Sequence, residues 1–239
     1  MQDGPAEALI LASPTHPPLE TYLNRLNPQP ISINTAFDRF RWPAFAPISE
    51  IRVLRDSADE DSEQDLYQAK DRDGTFSLHH IASESYTNPP VSSITTSIDI
   101  LYEYSCRVTW EELHIVDRYT VGDDVDVPCS CCNRMPYCEP KPLIIRATSK
   151  TYVTIEDIVS QVTEYVNSLR EDILEALDAV GEHSGERTPD FSSWVFFSRN
   201  SINIEEARSL EELIKTWRYR AKVVRRSRLG LHYKPVNLS

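Results

Sequence analysis

Apolar residues recur along this chain with two distinct periods. Ile94, Ile98, Ile100, Tyr102, Tyr104, Cys106, Val108 and Trp110 all fall on even positions. The odd positions between them carry Thr95, Ser97, Asp99, Glu103, Ser105, Arg107 and Thr109, with Leu101 the exception. A period of two predicts a half-buried strand of an antiparallel sheet. The run exceeds a usual strand, so a bend or bulge is expected in it. A second strand over 113–121 would complete a hairpin. Cys106 lies on the apolar face and reads as a small core residue.

The second period begins at Ile155. Ile158, Val159, Val162, Val166, Leu169, Ile173, Leu177 and Val180 follow at steps of three and four, which predicts an amphipathic helix. Thr154 can cap its start, Glu156 and Asp157 suit its first turn, and Gly181 suits its end. Unbroken, the helix would run for about 39 Å. Its stripe should face the sheet, leaving Ser168, Glu171 and Glu175 outward.

Shorter signals complete the pattern. Leu19, Tyr22, Leu23 and Leu26 make a brief helical stripe. Phe37, Phe40, Trp42 and Phe45 supply aromatic area for a core. Short strands are expected over 51–54, 143–147 and 193–198, the last apolar on both faces. Ser209 with Glu212 resembles a capping box opening a final helix over about 209–226. No alternation of strands and helices suggests a doubly wound sheet. The expected fold is α+β: an antiparallel sheet, a long amphipathic helix packed on one face, and a basic C-terminal helix. A Pro-rich arm would occupy 1–30, one domain 31–228 and a tail 229–239.

Composition adjusts this picture. The 239 residues include 16 Pro and only 6 Gly, favouring stiff extended connections over Gly-lined phosphate loops. No apolar run approaches the roughly 18 residues of a membrane span. The first residues lack the basic region and apolar stretch of a signal peptide. The expected compartment is cytoplasmic or nuclear.

Charge is divided along the chain. The net of -12 separates into -20 for residues 1–214 and eight cations without an anion from Lys215 onward. Residues 56–65 hold six carboxylates and no base, and read as a mobile, solvated loop. Ser57 and Ser62 each precede an acidic residue by three positions, which allows phosphorylation. Metal chelation is a further reading. Lys215, Arg218, Arg220, Lys222, Arg225, Arg226 and Arg228 interleave with Trp217, Tyr219, Val223 and Val224. This segment reads as a docking surface for an acidic protein partner, with Trp217 anchored inward. Pairing with the protein's own acidic surface, a favourable helix dipole and a nuclear-import patch are alternatives. The acidic body opposes a long polyanion, so nucleic-acid binding should be weak and non-specific.

Four of the five Cys lie in the loop 122–142. Cys129 and Cys132 form a C-x-x-C pair, a spacing that lets two thiolates reach one tetrahedral ion at about 2.3 Å. Cys138 is a third candidate ligand. His114, Cys131, Cys106 or the His79–His80 pair could be the fourth. Thiolates favour zinc, and a closed site would be structural. Free thiols, a disulfide and redox activity are the other readings. Cys131-Cys132-Asn133-Arg134, then Leu143-Ile144-Ile145-Arg146-Ala147, then Val153-Thr154-Ile155-Glu156-Asp157-Ile158-Val159 resembles a family of uncharacterised fungal proteins. In these a Cys-rich turn precedes a strand and a helix opening Val-Thr-Val-x-Asp. The resemblance implies that the three form one unit and a fungal source. It carries no activity.

No phosphate-binding Gly loop, nucleophile elbow or H-E-x-x-H is present. His183 sits in a polar loop and reads as solvated. The expected function is a non-enzymatic interaction or scaffold protein with a zinc-stabilised turn and a basic docking helix. The alternative is a hydrolase or transferase assembled from scattered His and carboxylates.

Overall fold

The computed structural model describes residues 16–23, 31–106, 137–181, 192–197 and 201–229. In chain order these form α1 (Leu19–Leu23), β1 (Ser32–Ile33), β2 (Phe40–Arg41), β3 (Arg52–Leu54), β4 (Gln64–Leu66), β5 (Gln68–Lys70) and β6 (Phe76–Leu78). Then come β7 (Thr87–Asn88), β8 (Ser93–Ile98), α2 (Asp99–Ser105), β9 (Leu143–Arg146), α3 (Ile155–Ser168), α4 (Arg170–Val180), β10 (Ser192–Phe197), β11 (Ser201–Ala207) and α5 (Leu210–Arg228). The fold is α+β. Among the described residues, no helix is long and apolar enough to cross a membrane.

The largest sheet runs β10–β11–β8–β9. β10 and β11 form an antiparallel hairpin, and β9 pairs antiparallel with β8. β11 meets β8 in parallel, with Ile202 opposite Ile98, so the expected antiparallel sheet is mixed at this seam. Helices lie between these two strands in sequence, as a parallel pair requires. The expected hairpin partner at 113–121 lies outside the described residues. Both outer edges are partly covered. Val195 N donates to Trp42 O at 2.8 Å and Ala44 N to Ser193 O at 2.8 Å, which lays residues 42–44 along β10. On β9 the amide of Gln161 acts as a substitute strand. It accepts from Arg146 N at 3.1 Å and donates to Arg146 O at 2.8 Å. Both devices satisfy edge groups that would otherwise invite another chain.

The strand expected over 94–110 ends at Ile98, and a helix follows. The lone odd apolar residue carries the reason. Ile98, Leu101 and Tyr104 recur at steps of three, and all are buried, while Tyr102 is exposed. The segment therefore buries a helical stripe that a straight strand would split between two faces. Cys106, expected in the core, lies exposed just past the helix.

The expected 26-residue helix is two. α3 carries a full capping box: Thr154 accepts from Asp157 N, and Asp157 accepts from Thr154 N. It breaks at Leu169, where φ is -107° and ψ 16°. Asn167 and Ser168 precede the break, and their side chains bond back to Thr163 O and Tyr165 O. Such residues compete with the helical backbone. Ile155, Ile158, Val159, Val162, Val166, Ile173, Ala176 and Leu177 face the core, and Ser168, Glu171 and Glu175 face outward. Gly181 ends α4 with an ordinary negative φ of -65°. Glycine is needed there because a Cβ would collide with the Leu177 carbonyl.

A second sheet, β2–β3–β4, is antiparallel and meets the first through the bridge between Pro43 and Trp194. Its β3–β4 turn holds the acidic segment. Rather than a mobile solvated loop, 56–65 is a folded turn running into β4. Asp56 accepts from Ala58 N, Asp59 from Asp61 N, and Ser62 Oγ from Asp56 N. Arg55 pairs with Glu63 and Asp65. Side-chain turns of this kind order a charged loop locally. At the N-terminus, Leu19 and Tyr22 of α1 are buried, and Glu20 accepts from Thr95 N at 2.8 Å.

Candidate functional site

Helix α5 divides the region where chemistry concentrates, and each of its sides has a separate role. Ser209 caps it by accepting from Glu212 N at 3.3 Å, while Glu212 accepts from Arg208 N at 2.8 Å. Glu211 and Glu212 in the first turn and Arg225, Arg226 and Arg228 in the last complement the dipole. Trp217 and Ala221, four apart, are its buried residues. As the sequence implied, Trp217 anchors inward: its ring lies 5.3 Å from both Trp194 and Phe196.

One flank meets the acidic turn. Arg225 pairs with Glu60 at 2.7 Å, Arg218 with Glu60 at 3.8 Å, and Arg228 with Asp56 at 2.8 Å. Arg228 also donates to Ser57 Oγ at 3.2 Å, and Ser57 is buried. Three cations expected to face a partner are thus engaged by the protein itself. The turn and the helix are far apart in sequence but opposite in sign, so their side chains attract across the contact. The Ala58 N–H and then Arg228 hold the Asp56 carboxyl below its ordinary 3.8. A depressed carboxylate stabilises the folded state above its unfolded pKa, and this contribution fades as pH falls through the lower folded value. Glu60→Gln removes the anion shared by two arginines. It is expected to destabilise by about 1 kcal/mol in urea melts at low salt, and by less near 1 M NaCl, where screening acts within about 3 Å.

The opposite flank borders a cleft of about 620 Å³ between α5, β10 and residues 33–42. Phe37, Phe40, Trp42, Phe196, Phe197 and Tyr219 supply aromatic walls. β2 buries both of its residues, and the second is Arg41, only 6% exposed. Its guanidinium lies 3.9 Å from the Trp217 ring centroid and donates to Phe40 O at 3.2 Å. Among the described residues no carboxylate pairs with it. Burial, then the charge of Arg220, pushes its pKa down to about 10. It is still a cation at neutral pH. Arg220 lies 3.4 Å over the Phe196 ring and donates to Glu205 at 2.6 Å. Desolvation lowers its pKa, against the pull of Glu205. Asp38 also lines the cleft, and desolvation lifts its carboxyl above the ordinary value despite Arg220 and Arg228. The indole N–H of Trp42 is buried without an acceptor among the described residues. An orphaned buried donor costs about 1–3 kcal/mol.

The outward side carries Lys215, Tyr219, Lys222, Val223 and Arg226, which recur at helical steps and are exposed. Lys215 pairs with Glu211 on its own helix at 3.0 Å. Lys222 and Arg226 form no ion pair among the described residues. The seven predicted docking cations therefore separate: Arg218, Arg225 and Arg228 meet the acidic turn, Arg220 meets Glu205 at the cleft, Lys215 lines the cleft and pairs with Glu211, and Lys222 and Arg226 face outward.

The cysteine set is not brought together within the described residues. Cys129, Cys131, Cys132 and His114 lie outside them, as does His183. Cys138 is an exposed free thiol, and Cys106 is exposed. Among the described residues no group of three or more His, Cys, Asp or Glu side chains is placed to hold a metal ion. His79 and His80 stack with ring centroids 4.2 Å apart, and His79 Nδ1 accepts from Ile81 N at 3.3 Å as a turn cap. Desolvation, then His80, lowers the His79 pKa. Its local role is structural.

Sequence reasoning missed the cleft and Arg41. Phe37, Phe40 and Trp42 were a visible signal, but they were assigned to the core alone. No protein-family model, curated protein or solved structure matches the chain.

Proposed function

We propose that this is a non-enzymatic interaction protein, cytoplasmic or nuclear, that docks an acidic protein partner on the outward side of α5. The observation carrying this reading is the exposed pair Lys222 and Arg226, without ion-pair partners among the described residues, interleaved with exposed Tyr219 and Val223. Cations beside half-apolar contact area suit an acidic partner: charge steers the encounter and aromatic area holds it. The acidic turn on the neighbouring flank holds the helix in place and adds a like-charged rim that disfavours misplaced anionic partners.

Partner capture with mass spectrometry is the test, comparing the unaltered protein with the Lys222→Glu/Arg226→Glu pair. Capture of one acidic protein, lost in the paired variant and kept in Glu60→Gln, is the expected result. Equal capture by the paired variant would overturn the reading. RNA or DNA oligonucleotides at about 150 mM salt are expected to bind weakly and without sequence preference, since body and nucleic acid repel.

A zinc-stabilised turn belongs to the same proposal, with Cys129, Cys132 and Cys138 as thiolates and His114 as the fourth ligand. The C-x-x-C spacing and the free thiol of Cys138 support it. Metal analysis of unchelated protein is expected to find one zinc per chain, displaced when Cys129 and Cys132 are both replaced by Ser.

A further inference from the structure

We infer that the cleft beside α5 is a binding site for a small aromatic monocarboxylate, with Arg41 as the anchor for its carboxylate. The cleft shares Tyr219 and Val223 with the docking side of the same helix, but the inference rests on Arg41, which the partner reading does not use. The first ground is the unmatched charge. Arg41 is buried, stacked on Trp217, and bonded only to a neighbouring main-chain carbonyl among the described residues. A buried cation is normally paired, because neither a ring face nor one carbonyl replaces its hydration. A carboxylate entering the cleft would accept from the guanidinium fork at two points. Trp42, which also lines the cleft, has a buried indole N–H without an acceptor among the described residues.

The second ground is shape and composition. A volume of about 620 Å³ lies within the roughly 300–1,000 Å³ of small-molecule sites and far exceeds a bare inorganic anion. Aromatic faces line it, and flat rings stack well on such walls. The third ground is the charge balance. The lining holds Arg41, Lys215 and Arg220 against Asp38 and Glu205. Lys215 pairs with Glu211, Arg220 with Glu205, and Asp38 faces Arg220 and Arg228, which leaves Arg41 as the lining cation without a carboxylate among the described residues. One negative charge suits what is left, and a dianion meets Asp38 and Glu205 as repulsive neighbours.

Calorimetric titration of the full chain with 2-naphthoate tests this. Saturable one-to-one binding is expected, at least about tenfold tighter than for neutral 2-naphthamide or for 2-naphthyl phosphate. Arg41→Gln should weaken 2-naphthoate at least about tenfold, and Arg41→Lys, which keeps charge but not the fork, by less. Val223→Glu places a carboxylate at the exposed cleft mouth without disturbing the core, and should weaken it similarly. It keeps the test decisive if Arg41→Gln fails to fold. Equal binding of the amide, tighter binding of the phosphate ester, or 2-naphthoate binding unchanged by Val223→Glu would overturn the inference. So would no heat with 2-naphthoate, together with no thermal shift from one-, two- and three-ring carboxylates. Loss of stability in Arg41→Gln with binding intact would assign Arg41 to its stack on Trp217 alone.

Discussion

Replacing Val162 with Asp is expected to abolish cooperative folding. Val162 is fully buried in the stripe of α3, within the same cluster as Ile98, Leu101, Ile145 and Ile173. The substitution loses about 1.5–3 kcal/mol of apolar burial and places a carboxylate within an apolar cluster. Burying that group costs several kcal/mol more, even if it takes up a proton. Together these approach the 5–15 kcal/mol that holds a typical domain. Thermal melts by circular dichroism should show no sharp transition, and gel filtration should show aggregation. Glu164→Gln, on the exposed side of the same helix, should stay within about 0.5 kcal/mol of the parent. A soluble Val162→Asp protein with an unchanged melting temperature would contradict the packing of α3.

Asp157→Ala is expected to be nearly as harmful, by a different route. Asp157 is 1% exposed, and its carboxylate accepts from four donors. Oδ2 takes Thr154 N and Thr154 Oγ1, both at 2.8 Å. Oδ1 takes Thr148 N at 3.1 Å and Thr148 Oγ1. The residue closes the capping box of α3 and ties its first turn to the chain leaving β9. Thr154 still accepts from the N–H of residue 157, so the loss here is the reciprocal half of the capping box, about 0.5–1.5 kcal/mol. Leaving the buried Thr154 N–H without an acceptor adds about 1–3 kcal/mol. The expected loss is about 3 kcal/mol in urea melts. Asp157→Asn keeps one acceptor but turns an amide N–H toward a donor, so it should recover only part. Glu156→Ala, exposed on the same turn, should change little. If Asp157→Ala matched Glu156→Ala, the carboxylate would not be holding that junction.

Where one element's own residues set its state, the sequence was legible. The three-and-four spacing from Ile155 identified the core helix, and Thr154 identified its start. The apolar runs at 143–147 and 193–198 identified β9 and β10. Ser209 marked the last helix, and Trp217 its inward side. Two errors had local causes that were also visible. Leu101 breaks the even-numbered pattern because Ile98, Leu101 and Tyr104 form a helical stripe. Asn167 and Ser168 bond back to the main chain and end α3 within an otherwise continuous apolar spacing.

The remaining features depend on long-range pairing, which no local pattern encodes. Composition made residues 56–65 look solvated, because six carboxylates repel one another unless cations arrive from elsewhere. Those cations arrive from Arg218, Arg225 and Arg228, more than 150 positions later, and only the fold brings them within reach. The cleft has the same origin. Arg41 reads in sequence as one base among aromatics, and nothing there indicates that Trp217 will cover it or that no carboxylate among the described residues will match it. The sequence by itself determined the α+β class, the core helix and the sign of each segment's charge. The tertiary structure alone decided which charges neutralise one another and which stays unmatched at the cleft, because Coulomb energy depends on distance in space, not on separation along the chain.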